Sequence, residues 1–118
     1  MKIIKKVGCL TMDYSTAQKL EAEIATNPKI LSNYFNLKSL YVALGSSRTK
    51  IIRLLEDALV HFPDDIKLLV EIASVYEFEI EDYAKAIHYY EKVLAIDSEH
   101  RLALDALNVL KVFKKYNN

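Results

Sequence analysis

Leu31, Tyr34, Leu37, Leu40, Tyr41 and Leu44 recur at intervals of three and four residues, so they share one face of a helix. The same spacing joins Ile51, Ile52, Leu54, Leu55, Ala58 and Leu59. It returns in Ile66, Leu69, Ile72, Ala73, Val75 and Tyr76, and again in Ala86, Ile87, Tyr90, Val93 and Leu94. Polar punctuation separates these stripes. Asn27-Pro28 ends a leading helix carrying Ala17, Leu20 and Ile24, because proline disfavours helix in the residue before it. Ser15 with Gln18 has a capping-box pattern and predicts that this leading helix opens at Ser15. Pro28 then begins the second helix, where its missing N–H costs nothing. Gly45 stops that helix, Ser46 or Ser47 caps the next, and Pro63 closes the unit. Asp64 or Asp65 caps the following helix, a break falls near Glu81-Asp82, and Asp97-Ser98 ends the next. A last helix runs from about Arg101 to Lys115.

These elements repeat at a spacing of 35 residues. Pro28 recurs as Pro63, and Tyr41 as Tyr76. Leu20, Leu55 and Tyr90 form one series, Glu21, Glu56 and Glu91 a second, and Ile24, Leu59 and Leu94 a third. A fixed period of this size signals stacked helix pairs, in which each pair buries its apolar face against its neighbours. The expected fold is all-α: antiparallel helix pairs stacked as a short right-handed superhelix. The expected organisation is one domain of residues 1–118. It comprises an N-terminal segment 1–14, a leading helix 15–26, repeat one 28–62, repeat two 63–97 and a trailing capping helix 98–116. Two glycines and two prolines are too few for the turns of a strand-rich fold.

Composition narrows the function. Sixteen basic residues balance sixteen acidic ones, so no general attraction to nucleic acid or an anionic membrane is expected. The charge is nevertheless uneven. Lys2, Lys5 and Lys6 lie at one end and Lys111, Lys114 and Lys115 at the other, while Asp64 to Asp82 carries seven acids and one lysine. A single cysteine, Cys9, excludes an internal disulfide and a cysteine-rich zinc site. The opening MKIIKKVGCLTMD has no apolar run long enough for a signal peptide. No stretch approaches the roughly 20 apolar residues of a membrane span. These features together predict a cytoplasmic protein. Ile3, Ile4, Val7 and Leu10 have the spacing of a short helix covering the leading end.

Catalytic constellations are missing. His61, His88 and His100 are scattered, with no pair at metal-ligand spacing, and His100 reads as a helix-start residue. There is no glycine-rich phosphate loop, and the serines at helix starts are explained by capping. The expectation is therefore a protein that is not an enzyme and needs no cofactor or metal.

The stretch Tyr83-Ala84-Lys85-Ala86-Ile87-His88-Tyr89-Tyr90-Glu91-Lys92-Val93-Leu94-Ala95-Ile96-Asp97 resembles the second helix of a tetratricopeptide repeat. Ala86 matches the family's small residue and Tyr90 its aromatic, while Ser98 stands in place of the closing proline. Ile72, Ala73 and Tyr76 match its first helix. Tyr34, Leu37, Tyr41, Leu55, Ala58 and Pro63 carry the resemblance in the first unit, where Lys38 replaces a small residue. Each unit exceeds the family's usual 34 residues by one, and the extra residue is expected in the loops after Tyr41 and Tyr76. The first unit also resembles, more weakly, a half-a-tetratricopeptide repeat, although it lacks that family's tryptophans.

The resemblance implies a module that binds a peptide or helix of a partner protein on a concave face lined by the first helix of each pair. On this chain the face would include Phe35, Asn36, Ser39, Lys67, Val70, Glu71, Ser74, Phe78, Leu102, Val109 and Phe113. Ser32, Glu77 and Ala106 would lie among them. One subclass of the family grips acidic chain termini with lysines and asparagines. At the corresponding positions this chain has Phe35, Ser39, Glu71, Leu102 and Ala106, so that clamp is missing. The expected partner is a protein segment that is apolar with basic flanks. Self-pairing through the trailing helix is a further expectation, because that helix is apolar over about half its circumference. The competing reading is a structural subunit or scaffold packed inside a larger complex, such as one that processes RNA.

Overall fold

The computed structural model describes the backbone of residues 2–117 and the side chains of residues 14–113 and 115. The readings made on Cys9 and on Ile3, Ile4, Val7 and Leu10 lie outside the described side chains. Among the described residues the chain is all helical. In order it forms α1 (Lys2–Thr26), α2 (Leu31–Ala43), α3 (Arg48–His61), α4 (Ile66–Ser74), a π-helical turn (Val75–Ile80), α5 (Tyr83–Ile96) and α6 (Arg101–Asn117). Two compact units result, Met1–Phe62 and Pro63–Asn118.

The period visible in the sequence is kept by the helix boundaries. Helices begin at Leu31, Ile66 and Arg101, and at Arg48 and Tyr83. They end at Thr26, His61 and Ile96. Within each set the spacing is 35 residues. The local chemistry repeats with it. Ser47 and Asp82, also 35 apart, cap α3 and α5 by accepting from the Lys50 and Lys85 backbone N–H groups at 3.2 Å each. Asp65 caps α4 through Leu68 N–H at 2.9 Å. His100 caps α6, its Nδ1 accepting from Ala103 N–H at 3.3 Å, which makes it the helix-start residue the sequence indicated. Each cap satisfies a backbone donor that the first helical turn leaves without a partner.

In the first unit α1 packs on α2, and α2 on α3. Ala17, Tyr34, Leu37, Tyr41, Ile52, Leu54, Leu55 and Ala58 are buried. The expected start of α1 at Ser15 is not found, because α1 runs through Ser15 without a break. No proline precedes Pro28, and an internal serine yields to the continuing helix on either side of it. Pro28 does not begin α2 either. The Asn27 side chain accepts from Lys29 N–H at 3.3 Å, and the Pro28 carbonyl accepts from the Tyr34 hydroxyl at 2.7 Å. That turn delays α2 until Leu31. Tyr34 also meets Phe62 edge to face, with ring centroids 6.4 Å apart.

In the second unit α5 packs against both α4 and α6. Leu68, Leu69, Ile72, Ala73, Val75, Tyr76, Ala86, Tyr90, Val93, Ala103, Leu107 and Leu110 are buried. The stripe expected on α4 omitted Leu68, which is fully buried. The extra residue of this unit does not sit in a loop. It is taken up inside the helix as the π turn Val75–Ile80, since an i→i+5 turn holds more residues than an α turn. The backbone N–H groups of Glu81 and Asp82 both donate to the Tyr76 carbonyl, closing the wide turn.

The two first helices therefore end differently. After α2, Gly45 takes φ 70°, with Ser46 N–H donating to the Tyr41 carbonyl at 2.9 Å and Gly45 N–H to Val42 at 3.1 Å. This is a Schellman ending built on a glycine. After the π turn the left-handed residue is Glu81, at φ 62°. A side chain in that region costs about 1–2 kcal/mol. Glu81→Gly is expected to raise stability by about 0.5–1 kcal/mol, and Gly45→Ala to lower it by about 1 kcal/mol. A Cβ at Gly45 would meet nothing within 4 Å, so its cost is conformational alone. Urea unfolding of both variants measures these shifts, and a loss of stability in Glu81→Gly would contradict the strain assigned to it.

Candidate functional site: the exposed face of the first-helix series

Four positions of the first-helix series, 35 residues apart, present one face in each helix. On α2 they are Ser32, Asn36, Ser39 and Ala43. On α4 and the π turn they are Lys67, Glu71, Ser74 and Phe78. On α6 they are Leu102, Ala106, Val109 and Phe113. The four positions are thus mostly polar on α2, mixed on α4 with the π turn, and wholly apolar on α6.

In the first unit Phe35 is half-buried and Asn36 exposed, while the Ser39 hydroxyl donates back to the Phe35 carbonyl at 3.1 Å. In the second unit Lys67 is exposed and Val70, Glu71 and Ser74 are half-buried. Phe78 is 70% exposed. The half-circumference stripe expected on α6 divides in two. Ala103, Leu107 and Leu110 are buried. Leu102, Val109 and Phe113 are exposed by 50%, 63% and 43%, and Val112 is exposed beside them. The Phe113 ring meets Tyr83 edge to face at 5.0 Å, placing the end of α6 beside the corner that follows the π turn.

The structure also gathers polar residues that sequence reading left dispersed. The Tyr90 hydroxyl donates to Glu77 Oε1 at 2.8 Å and lies 3.4 Å from the Ser74 hydroxyl. Burial, opposed by the Ser74 bond and reinforced by Glu77, pushes this phenol up to about 12. In the first unit Tyr41 donates to the Glu21 carboxylate, and the Lys50 ammonium lies over the Tyr41 ring at 4.6 Å. Burial, and then Glu21, hold the Tyr41 phenol well above the usual tyrosine range. A cavity of about 170 Å³ borders Tyr14, Gln18, Glu21, Tyr41 and Lys50. Lys85 lies over the Tyr76 ring at 5.3 Å, repeating the Lys50–Tyr41 pair 35 residues on. Glu91 pairs with Lys111 at 3.8 Å, across the same interval of 20 residues that separates Glu21 from Tyr41. At Glu21 and Glu91, two members of the glutamate series, a helix is thus tied to the one that follows it in the same unit.

Among the described residues no group of three or more histidine, cysteine or acidic side chains could hold a metal ion. In the same residues no helix is long and apolar enough to cross a membrane.

No family model matches the chain, and the curated proteins give no match. Solved structures do. A crystal structure of MamA, a tetratricopeptide-repeat-containing protein, is similar with a TM-score of 0.72 at 17% identity. That match covers 98% of this chain and 66% of the MamA chain. A second MamA crystal structure gives a TM-score of 0.71 at 17% identity, covering 98% of this chain and 62% of that one. The fold is a tetratricopeptide-like helix-pair repeat. The chain spans less than two thirds of either MamA chain.

Proposed function

We propose that the chain is a non-enzymatic protein–protein interaction module that takes a peptide or helix of a partner on its first-helix face. The observation that carries this reading is the α6 face. Leu102, Val109 and Phe113 are exposed in line, at spacings of seven and four residues, and Ala106 completes the row. Contiguous exposed apolar surface marks an interaction site far more often than scattered apolar residues do. A row of this spacing suits the apolar side of an amphipathic helix. Exposed Glu79 and Glu81 near Phe78 favour a partner segment with basic flanks. A carboxylate-tipped partner is disfavoured, because Glu71, Leu102 and Ala106 offer no cationic fork. A cytoplasmic setting accords with a chain that holds a single cysteine.

The same row also suits the second reading, a subunit packed permanently inside a larger assembly. The two differ in the isolated chain: an adaptor is soluble alone, and a packed subunit aggregates until its partner is added. Affinity capture from native extract, comparing the wild type with Val109→Glu and Phe78→Glu, tests the interaction reading. Binding is expected in the wild type and at least about tenfold weaker in each variant, as for truncation of a central interface residue. Equal capture by all three, with helix content unchanged, would place the interface elsewhere.

A further inference from the structure

One face of α5 carries a basic and aromatic row that the repeat does not require. Lys85 lies over the Tyr76 ring at 5.3 Å and Lys92 over the Tyr89 ring at 5.7 Å. The two rings stack on each other, with centroids 5.7 Å apart and planes 7° from parallel. His88 meets the Tyr89 ring edge to face at 5.2 Å. Lys85, His88 and Lys92 are exposed, and Ile96, one turn beyond Lys92, is 44% exposed. The first unit repeats only the first of these pairs, as Lys50 over Tyr41. Its Leu54 stands 35 residues before Tyr89 and its Asp57 before Lys92. A helix pair of this kind therefore packs without a tyrosine or a lysine at those two places.

The charge of this row is local. Asp82 caps the first turn of α5, Glu91 pairs with Lys111 of α6, and Asp97 accepts from Glu99 N–H. Glu81 and Glu99 lie outside the helix, one near each end. Among the described residues neither Lys85 nor Lys92 forms an ion pair. An ammonium held over a ring keeps N–H groups for another acceptor, and the ring contact reduces the side-chain freedom that binding would cost.

We infer that this face of α5 is a second interaction surface, separate from the α6 row, and that its occupant is an acidic helical segment of a protein partner. Lys85 and Lys92 are seven residues apart, about 10 Å along the helix axis. Two carboxylates seven residues apart on one face of a partner helix match that separation. Ile96 offers the same segment an apolar contact beside the charges. A single-stranded nucleic acid fits less well. Its bases need a free aromatic face to stack on, and the Tyr89 ring is already engaged by Tyr76, His88 and Lys92.

Calorimetry on the full chain tests the inference, with a synthetic helical peptide that carries glutamates seven residues apart on one face. A peptide of the same composition in scrambled order is the control. Saturable binding of the matched peptide is expected at about 0.1 M salt and its loss at about 1 M, where the screening length falls from about 10 Å to about 3 Å. Lys85→Gln is expected to weaken binding about fivefold, and Lys92→Asp, which installs the first unit's residue, about tenfold or more. Both positions are exposed, so helix content is expected to stay unchanged.

Val109→Glu is expected to bind the matched peptide as the wild type does, because it lies on the other surface. The inference is overturned if the matched peptide does not bind, if the scrambled peptide binds equally well, or if both lysine variants bind like the wild type. Loss of peptide binding in Val109→Glu would also overturn it, by moving the contact to α6, and would leave the interaction reading standing. A single-stranded oligothymidylate tests the other anionic class. Tighter binding of the oligonucleotide than of the peptide, abolished by Lys92→Asp, would replace the protein segment with a nucleic acid and overturn the occupant named here.

Discussion

Leu107→Ala is expected to destabilise the chain by about 2–5 kcal/mol, whereas Val109→Ala, two residues away on the same helix, is expected to change stability by less than about 0.5 kcal/mol. Leu107 is 5% exposed and faces the side of α6 that packs on α5. Shortening it removes transfer energy and leaves a cavity that close-packed neighbours fill only in part. Val109 is 63% exposed, so its methyl groups already meet water. Total stabilities of domains are only about 5–15 kcal/mol, so the Leu107 variant loses a large share of what holds the fold. Urea unfolding, followed by circular dichroism on dilute protein in high salt, separates the two effects from self-association. Similar losses in both variants would mean that α6 is buried on both sides, and the exposed face on which the interaction reading rests would not exist.

That α6 has two faces was not legible in the sequence, and the reason is physical. Leu102, Ala103, Ala106, Leu107, Val109, Leu110 and Phe113 are all apolar, and helical periodicity shows that they share half the circumference without showing what covers which part. Only the packing of α5 selects Ala103, Leu107 and Leu110. The period of 35 was legible because backbone chemistry enforces it. Ser47 and Asp65 act as caps where the residue types indicated, Asp82 caps α5 at the expected break, and Gly45 adopts the positive φ that its place after a helix implied.

Two local signals misled. Ser15 with Gln18 has the composition of a helix start, but nothing upstream stops the helix, so it continues through them. Pro28 suits a first helical turn, but Asn27 and Tyr34 hold it in the preceding turn. The π turn was hidden because an extra residue looks the same in sequence whether a loop or a helix absorbs it. Of the expected binding face, Phe78, Leu102, Val109 and Phe113 are exposed apolar groups, while Ser39 bonds its own helix and Ser74 lies against Tyr90. Sequence spacing places residues on a face but does not distinguish those that serve internal bonds.

The Tyr90 phenol makes the fold sensitive to alkali. Its value in the folded chain is pushed up to about 12 from 10.0, and burial also raises Tyr34 and Tyr41. Above pH 10 the unfolded chain has released tyrosine protons that the folded chain still holds. The unfolded state then binds fewer protons, so stability falls as pH rises. The stabilisation is complete below pH 10 and is lost as pH climbs through about 12.

Tyr90→Phe changes this balance in two opposite ways. At neutral pH it removes the hydrogen bond to Glu77 and is expected to cost about 1–2 kcal/mol. In alkali it removes one of the groups whose ionisation unfolds the chain. The stability curves of wild type and variant should therefore converge as pH rises from 10 toward 12. Thermal or urea unfolding across that interval measures the gap, and tyrosinate absorbance recorded with helix content shows whether buried phenols ionise only as the helices melt. A gap that stays constant, or complete tyrosinate absorbance while the helices remain intact, would show that Tyr90 titrates as freely in the folded chain as in the unfolded one. The Tyr90–Glu77 bond that ties α5 to the π turn would then contribute little to holding Phe78 at the surface.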